Sequence, residues 1–207
     1  MRQPALRWFY AIPLRWLRAI RIVGAVAAVV LGLAAANWLF QLARKPSELF
    51  FPFDGALAKT PAQTWDQYGA LFSEHSTALM APELLAALAK AEGSGNPVAR
   101  TYWRWRASWN PVEVYRPASS AVGMYQITDA RFAEARRYCI RDHVSVDDGP
   151  WHQPGSCWFN AFYFRVLPGH AIEMTSAFLD RRVAQILDSN ANTQRRRGTG
   201  PHQNCPP

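Results

Sequence analysis

Hydrophobic positions fall into one long uncharged run followed by several shorter periodic ones. From Ile22 to Ala43 no residue is charged. A helix of that length reaches about 33 Å at 1.5 Å per residue, enough to cross the hydrocarbon core of a bilayer. Trp16, Trp38 and Phe40 lie where interfacial aromatics would be expected. Pro46, Pro52 and Pro61, with Phe50, Phe51 and Phe53 between them, predict a semi-extended tether. Thr60-Pro61 is a helix start, and Trp65, Tyr68, Leu71 and Phe72 carry that helix to about Ser76. Leu84, Leu88 and Glu92 are spaced i, i+4 and i+8, with Leu85 and Ala91 as further core-facing positions, so Glu92 is expected to point where the leucines point.

Gly93, Gly95 and Pro97 end that helix. In the stretch that follows, Trp103 and Trp105 alternate with Arg104 and Arg106, and the turn-like Ser108–Pro111 precedes Val112–Tyr115, predicting a short β-hairpin. Thr128 is a candidate cap for a helix running to about Arg141, with Phe132, Ala135 and Cys139 inward. A surface loop is expected over His143–Gly155. Ile172, Ser176, Leu179, Val183 and Ile186 or Leu187 trace a last amphipathic helix. The organisation predicted is a basic segment over 1–21, a transmembrane helix over 22–43, a linker over 44–62, a mainly α domain with a small β-hairpin over 63–188, and a disordered polar tail over 189–207.

Charge sharpens the membrane reading. Of the net +8, the first 45 residues supply seven basic side chains and no acidic one, leaving 16 basic against 15 acidic for the rest. A near-neutral body argues against nucleic acid as a partner, although aromatic and basic residues interleave in the hairpin. Five arginines precede the apolar run and two basic residues follow it, which places the amino terminus in the cytoplasm and the domain in the periplasm, anchored to the cytoplasmic membrane. A cleaved signal peptide, with Ala34–Ala36 at its cleavage site, and a buried soluble helix are the competing readings. Cys139 and Cys157 flank the Pro- and Gly-containing loop and are a disulfide candidate in an oxidising compartment; Cys205 is the odd partner, and two free thiols are the alternative. No C-x-x-C or close histidine pair points to a metal, no Gly-rich phosphate loop is present, and no cofactor is expected.

The chemistry centres on Glu92. At the end of an apolar helix a carboxyl would be partly desolvated, which disfavours its ionised form and suits a proton donor. The stretch AEGSGNP around it, followed by SSAVGMYQI, resembles the paired signatures of the soluble lytic transglycosylase family within the lysozyme-like superfamily. The resemblance covers roughly residues 77–187. It implies a lysozyme-like helical fold and cleavage of the peptidoglycan MurNAc-GlcNAc bond with a 1,6-anhydro product. Glu92 matches the family's catalytic acid, and Gly123, Met124, Tyr125 and Gln126 match its second motif; Ser119 and Ser120 would contact substrate or hold the loop. Ile172, Thr175, Phe178 and Leu179 match the third motif loosely. Trp103 and Trp105 are further candidates for sugar stacking, against a purely structural role.

The chain departs from the family in three places. Gly93 stands where a serine usually follows the acid, Met124 precedes a tyrosine, and no Tyr-Asn-Ala-Gly motif follows the third one. Tyr125, Tyr138 and Tyr163 are the candidates for the tyrosine that motif would supply. Ordinary glycosidases need two carboxylates, and Glu113 and Asp129 are the alternatives a lysozyme-type hydrolase would demand. A non-catalytic module that binds peptidoglycan glycan strands within an envelope-spanning secretion or conjugation machine is the reading from a different class.

Overall fold

Helix α1, Leu14–Arg44, is the apolar element, with a mean hydropathy of 2.3 in its most apolar window, long and apolar enough to cross a membrane. The computed structural model describes residues 14–53, 55–153 and 155–198; Cys205 and the first basic residues lie outside them. The chain divides into two units. One comprises the chain up to Arg44 together with Trp103–Arg116, and the other Lys45–Tyr102 with the chain from Pro117 onward.

In the first unit, β1 (Trp103–Trp105) and β2 (Tyr115–Pro117) form a two-stranded sheet, the hairpin that the Trp/Arg alternation predicts. Asn110 caps the turn between them by accepting from Val112 N at 3.2 Å. This hairpin packs on α1 through polar contacts. Asn37 donates to the Tyr115 carbonyl and Gln41 to the Val112 carbonyl, each at 2.7 Å, and Arg44 pairs with Glu113 at 3.4 Å. Asn37 and Gln41, four residues apart and so on one face of the helix, are the buried residues of α1 among those described.

The second unit is mainly helical. Its expected tether is instead folded onto the domain, as 3-10 turns over Pro46–Phe53 and Gly55–Leu57. The reason is electrostatic: Glu48 is 2% exposed and held by Lys45 and Arg100, each at 3.0 Å, while Lys45 also donates to the Ala121 carbonyl at 2.9 Å. A buried carboxylate needs such partners, and they fix the segment. Helix α2, Pro61–Glu74, starts with a capping box in which Gln63 N donates to Thr60 Oγ1 and Thr60 N to Gln63 Oε1. Its Tyr68 and Phe72 enter the core, whereas Trp65 remains exposed.

Helix α3, Pro82–Gly93, buries Leu85, Ala89 and Gly93, one residue round from the predicted stripe. Leu84, Ala91 and Glu92 are consequently exposed, and Leu88 is half-buried at the rim of the core. Leu85 and Ala89 join Met80, Met124, Tyr125, Ile127, Ile172, Met174 and Phe178 in one core cluster, with Leu88 packed against it.

Helix α4 spans only Asp129–Ala135, with Thr128 Oγ1 accepting from Arg131 N, and stops short of the expected Arg141. The chain turns instead into a second hairpin, β3 (Tyr138–Arg141) against β4 (Val144–Asp147), pairing Cys139 with Val146 and Ile140 with Ser145. Asp142 and His143, both at positive φ (48° and 62°), make its two-residue turn, a conformation that Asp and His tolerate better than β-branched residues. Cys139 is disulfide-bonded to Cys157, with a Cα–Cα distance of 5.6 Å. Helix α5, Pro168–Gly198, buries Ala171 through Met174 and Ser176 through Phe178. Ile186 and Leu187, expected inward, are exposed, and the helix continues through the start of the expected tail to Gly198.

Candidate active site

The last turn of α3 is closed by a left-handed cap. Ser94 (φ 54°) and Gly95 (φ 66°) return their amide protons to Lys90 O and Ala89 O at 3.1 and 3.0 Å. Asn96, buried, accepts from Val98 N at 2.9 Å and continues the turn. Here the helix end meets the second motif backbone to backbone: a Cβ on Gly93 would lie 2.6 Å from Met124 Cα and Met124 O. That contact explains why glycine follows the acid. Only a residue without a side chain lets the Gly123–Gln126 turn close on α3.

The turn is built with equal economy. Val122 and Ile127 pair across it, Gly123 N donates to Ala99 O at 2.8 Å, and Gly123 itself sits at φ 84° against the Arg165 carbonyl. Gln126 adopts φ 47°, and its amide donates to Ala99 O and Gly123 O at 3.1 and 3.0 Å, fixing the side chain beside the end of α3. Tyr125 donates its hydroxyl to the Leu85 carbonyl at 3.0 Å, and burial pushes its pKa well up, so the phenol stays protonated. Met124 is wholly buried and belongs to the core. Ser119 and Ser120 use their hydroxyl oxygens on the backbone, accepting from Ala121 N and Asp129 N, which holds the loop in place.

Glu92 lies where two grooves of the second unit meet. The larger, about 750 Å³, has an apolar wall that includes Leu88, Met174 and Phe178. The smaller, about 300 Å³, is polar, with Ser94, Asn96 and Arg100. Glu92 and Gln126 line both grooves, and Glu92 is the single carboxylate among the described residues that line either. Two arginines also line the larger groove: Arg131 and Arg182 lie over the Phe178 ring at 5.1 and 5.3 Å, and Arg182 pairs with Glu134. The Glu92 side chain is exposed rather than half-desolvated. This follows from the one-residue rotation of α3's buried stripe, which leaves the acid facing open groove.

The other candidate residues lie elsewhere or are engaged. Asp129 pairs with Arg165 at 2.8 Å, and Glu113, in the first unit, pairs with Arg44. Trp103 and Trp105 also belong to the first unit, packed on Tyr115 at 5.2 and 4.6 Å between ring centres. Of the three tyrosines considered for the missing motif, Tyr125 serves Leu85 and Tyr163 donates to Glu173, its pKa raised by burial and then by that carboxylate. Tyr138 lies beneath the Arg181 guanidinium. The Lys45–Glu48–Arg100 network has one local sign in the sequence, the i, i+3 charge pair in an apolar segment. No group of three or more metal-ligating side chains occurs among the described residues. Compared with protein-family models, curated proteins and solved structures, the chain matches none of them.

Proposed function

We propose that the chain is a membrane-anchored lytic transglycosylase of lysozyme-like fold that cleaves peptidoglycan glycan strands on the periplasmic side of the cytoplasmic membrane. The observation that carries this reading is a carboxylate, the lone one among the described residues lining the two grooves that share it, at the end of a helix packed on the Gly123–Gln126 turn. A strand lying through both grooves would cross Glu92 at one glycosidic bond. The strand itself would then remove water from the carboxyl, a desolvation that the free protein does not provide.

Glu92 protonates the leaving glycosidic oxygen as the C1–O bond breaks. The C6 hydroxyl of the same sugar attacks C1, and the Glu92 carboxylate takes up the hydroxyl proton, returning to its starting state. No water is consumed. A hydrolase would need a second carboxylate, and the two alternatives are engaged with Arg44 and Arg165. The charge asymmetry around α1 supports the orientation, and the Cys139–Cys157 disulfide suits an oxidising compartment.

The direct test is release of soluble fragments from labelled sacculi. Glu92→Gln should lower it by about 10²- to 10⁴-fold, as for a positioned general acid, with binding to sacculi retained. Glu113→Gln and Asp129→Asn should each remain active. Undiminished release by Glu92→Gln would reject Glu92 as the acid. No release by the wild type, with binding intact, would favour a scaffold.

A further inference from the structure

We infer that the hairpin Trp103–Arg116 is an interfacial membrane anchor, seated at the headgroup level of the bilayer against the carboxy-terminal end of α1. The inference rests on the reading of α1 as a membrane span, and it assigns the Trp/Arg stretch to lipid rather than to sugar.

Asn37 and Gln41 interrupt an otherwise apolar surface, and in a bilayer such side chains need a partner. They find it in the hairpin's backbone, at Tyr115 O and Val112 O. Those bonds set the depth. Asn37 is seven residues before Arg44, hence about 10 Å further along the helix at 1.5 Å per residue, and Gln41 about 4.5 Å. With Arg44 at the water boundary, the hairpin lies within the 5–10 Å layer in which interfacial elements bury their apolar faces.

Its composition fits that layer. Trp105 stacks on Tyr115 and is still 76% exposed, and Trp109 at the turn is fully exposed. Such aromatic surface left to water is costly, whereas at the headgroups it is favoured. The helix adds exposed Trp38 and Phe40 in the same stretch, so the aromatic surface is continuous in sequence with the span. Arg104 and Arg106 are exposed, and the hairpin's one acid, Glu113, is neutralised by Arg44, which leaves a cationic edge for lipid phosphates.

The test uses the full chain in nanodiscs of phosphatidylcholine and phosphatidylglycerol. Cys205→Ser leaves the disulfide cysteines, and a nitroxide is placed either at Val29→Cys, in mid-span, or at Ala107→Cys, beside Trp105. Collision with oxygen against a water-soluble nickel chelate reports depth. The expected result is a deep Val29 label and an Ala107 label at the headgroup boundary, with an oxygen-to-nickel ratio severalfold above that of a free nitroxide in water. A deep Val29 with Ala107 at the free-water ratio overturns the hairpin anchor and leaves the membrane span standing. If Val29 is itself in water, both fall.

Discussion

Replacing Gly93 with alanine probes the contact on which the candidate site depends. The new Cβ would stand 2.6 Å from both Met124 Cα and Met124 O, where ordinary contact begins at 3.4 Å. Neither neighbour is the movable end of a side chain, so the turn must retreat from α3 by about 0.8 Å. Overpacking of this kind typically costs ~1–3 kcal/mol. Alanine's better helix propensity returns at most ~1 kcal/mol. Even with the full propensity return, the net loss reaches about 2 kcal/mol at the upper end, a melting temperature lower by up to ~4–8 °C for a chain of this size.

Activity should suffer more than stability, because the retreat carries Gln126 away from Glu92, and a ~1 Å misplacement can cost ~10²-fold. Thermal melts followed by tryptophan fluorescence and sacculus turnover measure the two effects. Gly69→Ala is the control: its Cβ would approach Trp65 no closer than 3.4 Å, and the variant should melt at or above the wild-type temperature with full activity. A Gly93→Ala protein as stable and active as the Gly69→Ala one would refute the packing of the second motif on α3.

Two further outcomes are expected. Replacing Cys139 and Cys157 together with serine should cost on the order of 3 kcal/mol, since the bond closes an 18-residue separation, and non-reducing peptide mapping of the isolated full chain should recover the 139–157 pair; free thiols at both positions would exclude it. His170 stacks on Tyr163 and accepts from Phe164 N, and burial lowers its pKa, an effect that nearby Glu173 opposes and His75 reinforces. Because the unfolded chain then binds the proton more readily, stability should fall as pH drops below about 6.5. His170→Gln should flatten that slope, and an unchanged slope would exclude His170 as its source.

The sequence made legible those elements whose signal is local. The Thr60 cap, the apolar run of α1, the alternation at Trp103–Trp105 and the cysteines flanking a loop each act over a few residues. Rotational phase was less legible. Leu84 and Leu85 are equally apolar, and the backbone contact at Gly93 decides which row of α3 is buried, so Glu92 emerged exposed. Beyond Ala135 the helical spacing of Phe132, Ala135 and Cys139 competed with β-branched Ile140, Val144 and Val146, and the long-range Cys139–Cys157 bond and the Glu173 bond to Ile140 N lie on the side of the strand. The folding of the expected tether depends on Glu48 meeting Arg100, a pairing between residues 52 apart. Asn37 and Gln41 could have been read as a face awaiting a partner, but nothing local named the hairpin.

The central claim is that one carboxylate, Glu92, cleaves the glycan without water. Its most direct test is mass analysis of the products formed when the full chain, in proteoliposomes, acts on purified peptidoglycan. The account predicts muropeptides ending in 1,6-anhydromuramic acid, one water lighter than hydrolysis products, and none from Glu92→Gln. Reducing-end muramic acid from the wild-type protein, with no anhydro-sugar, would contradict it.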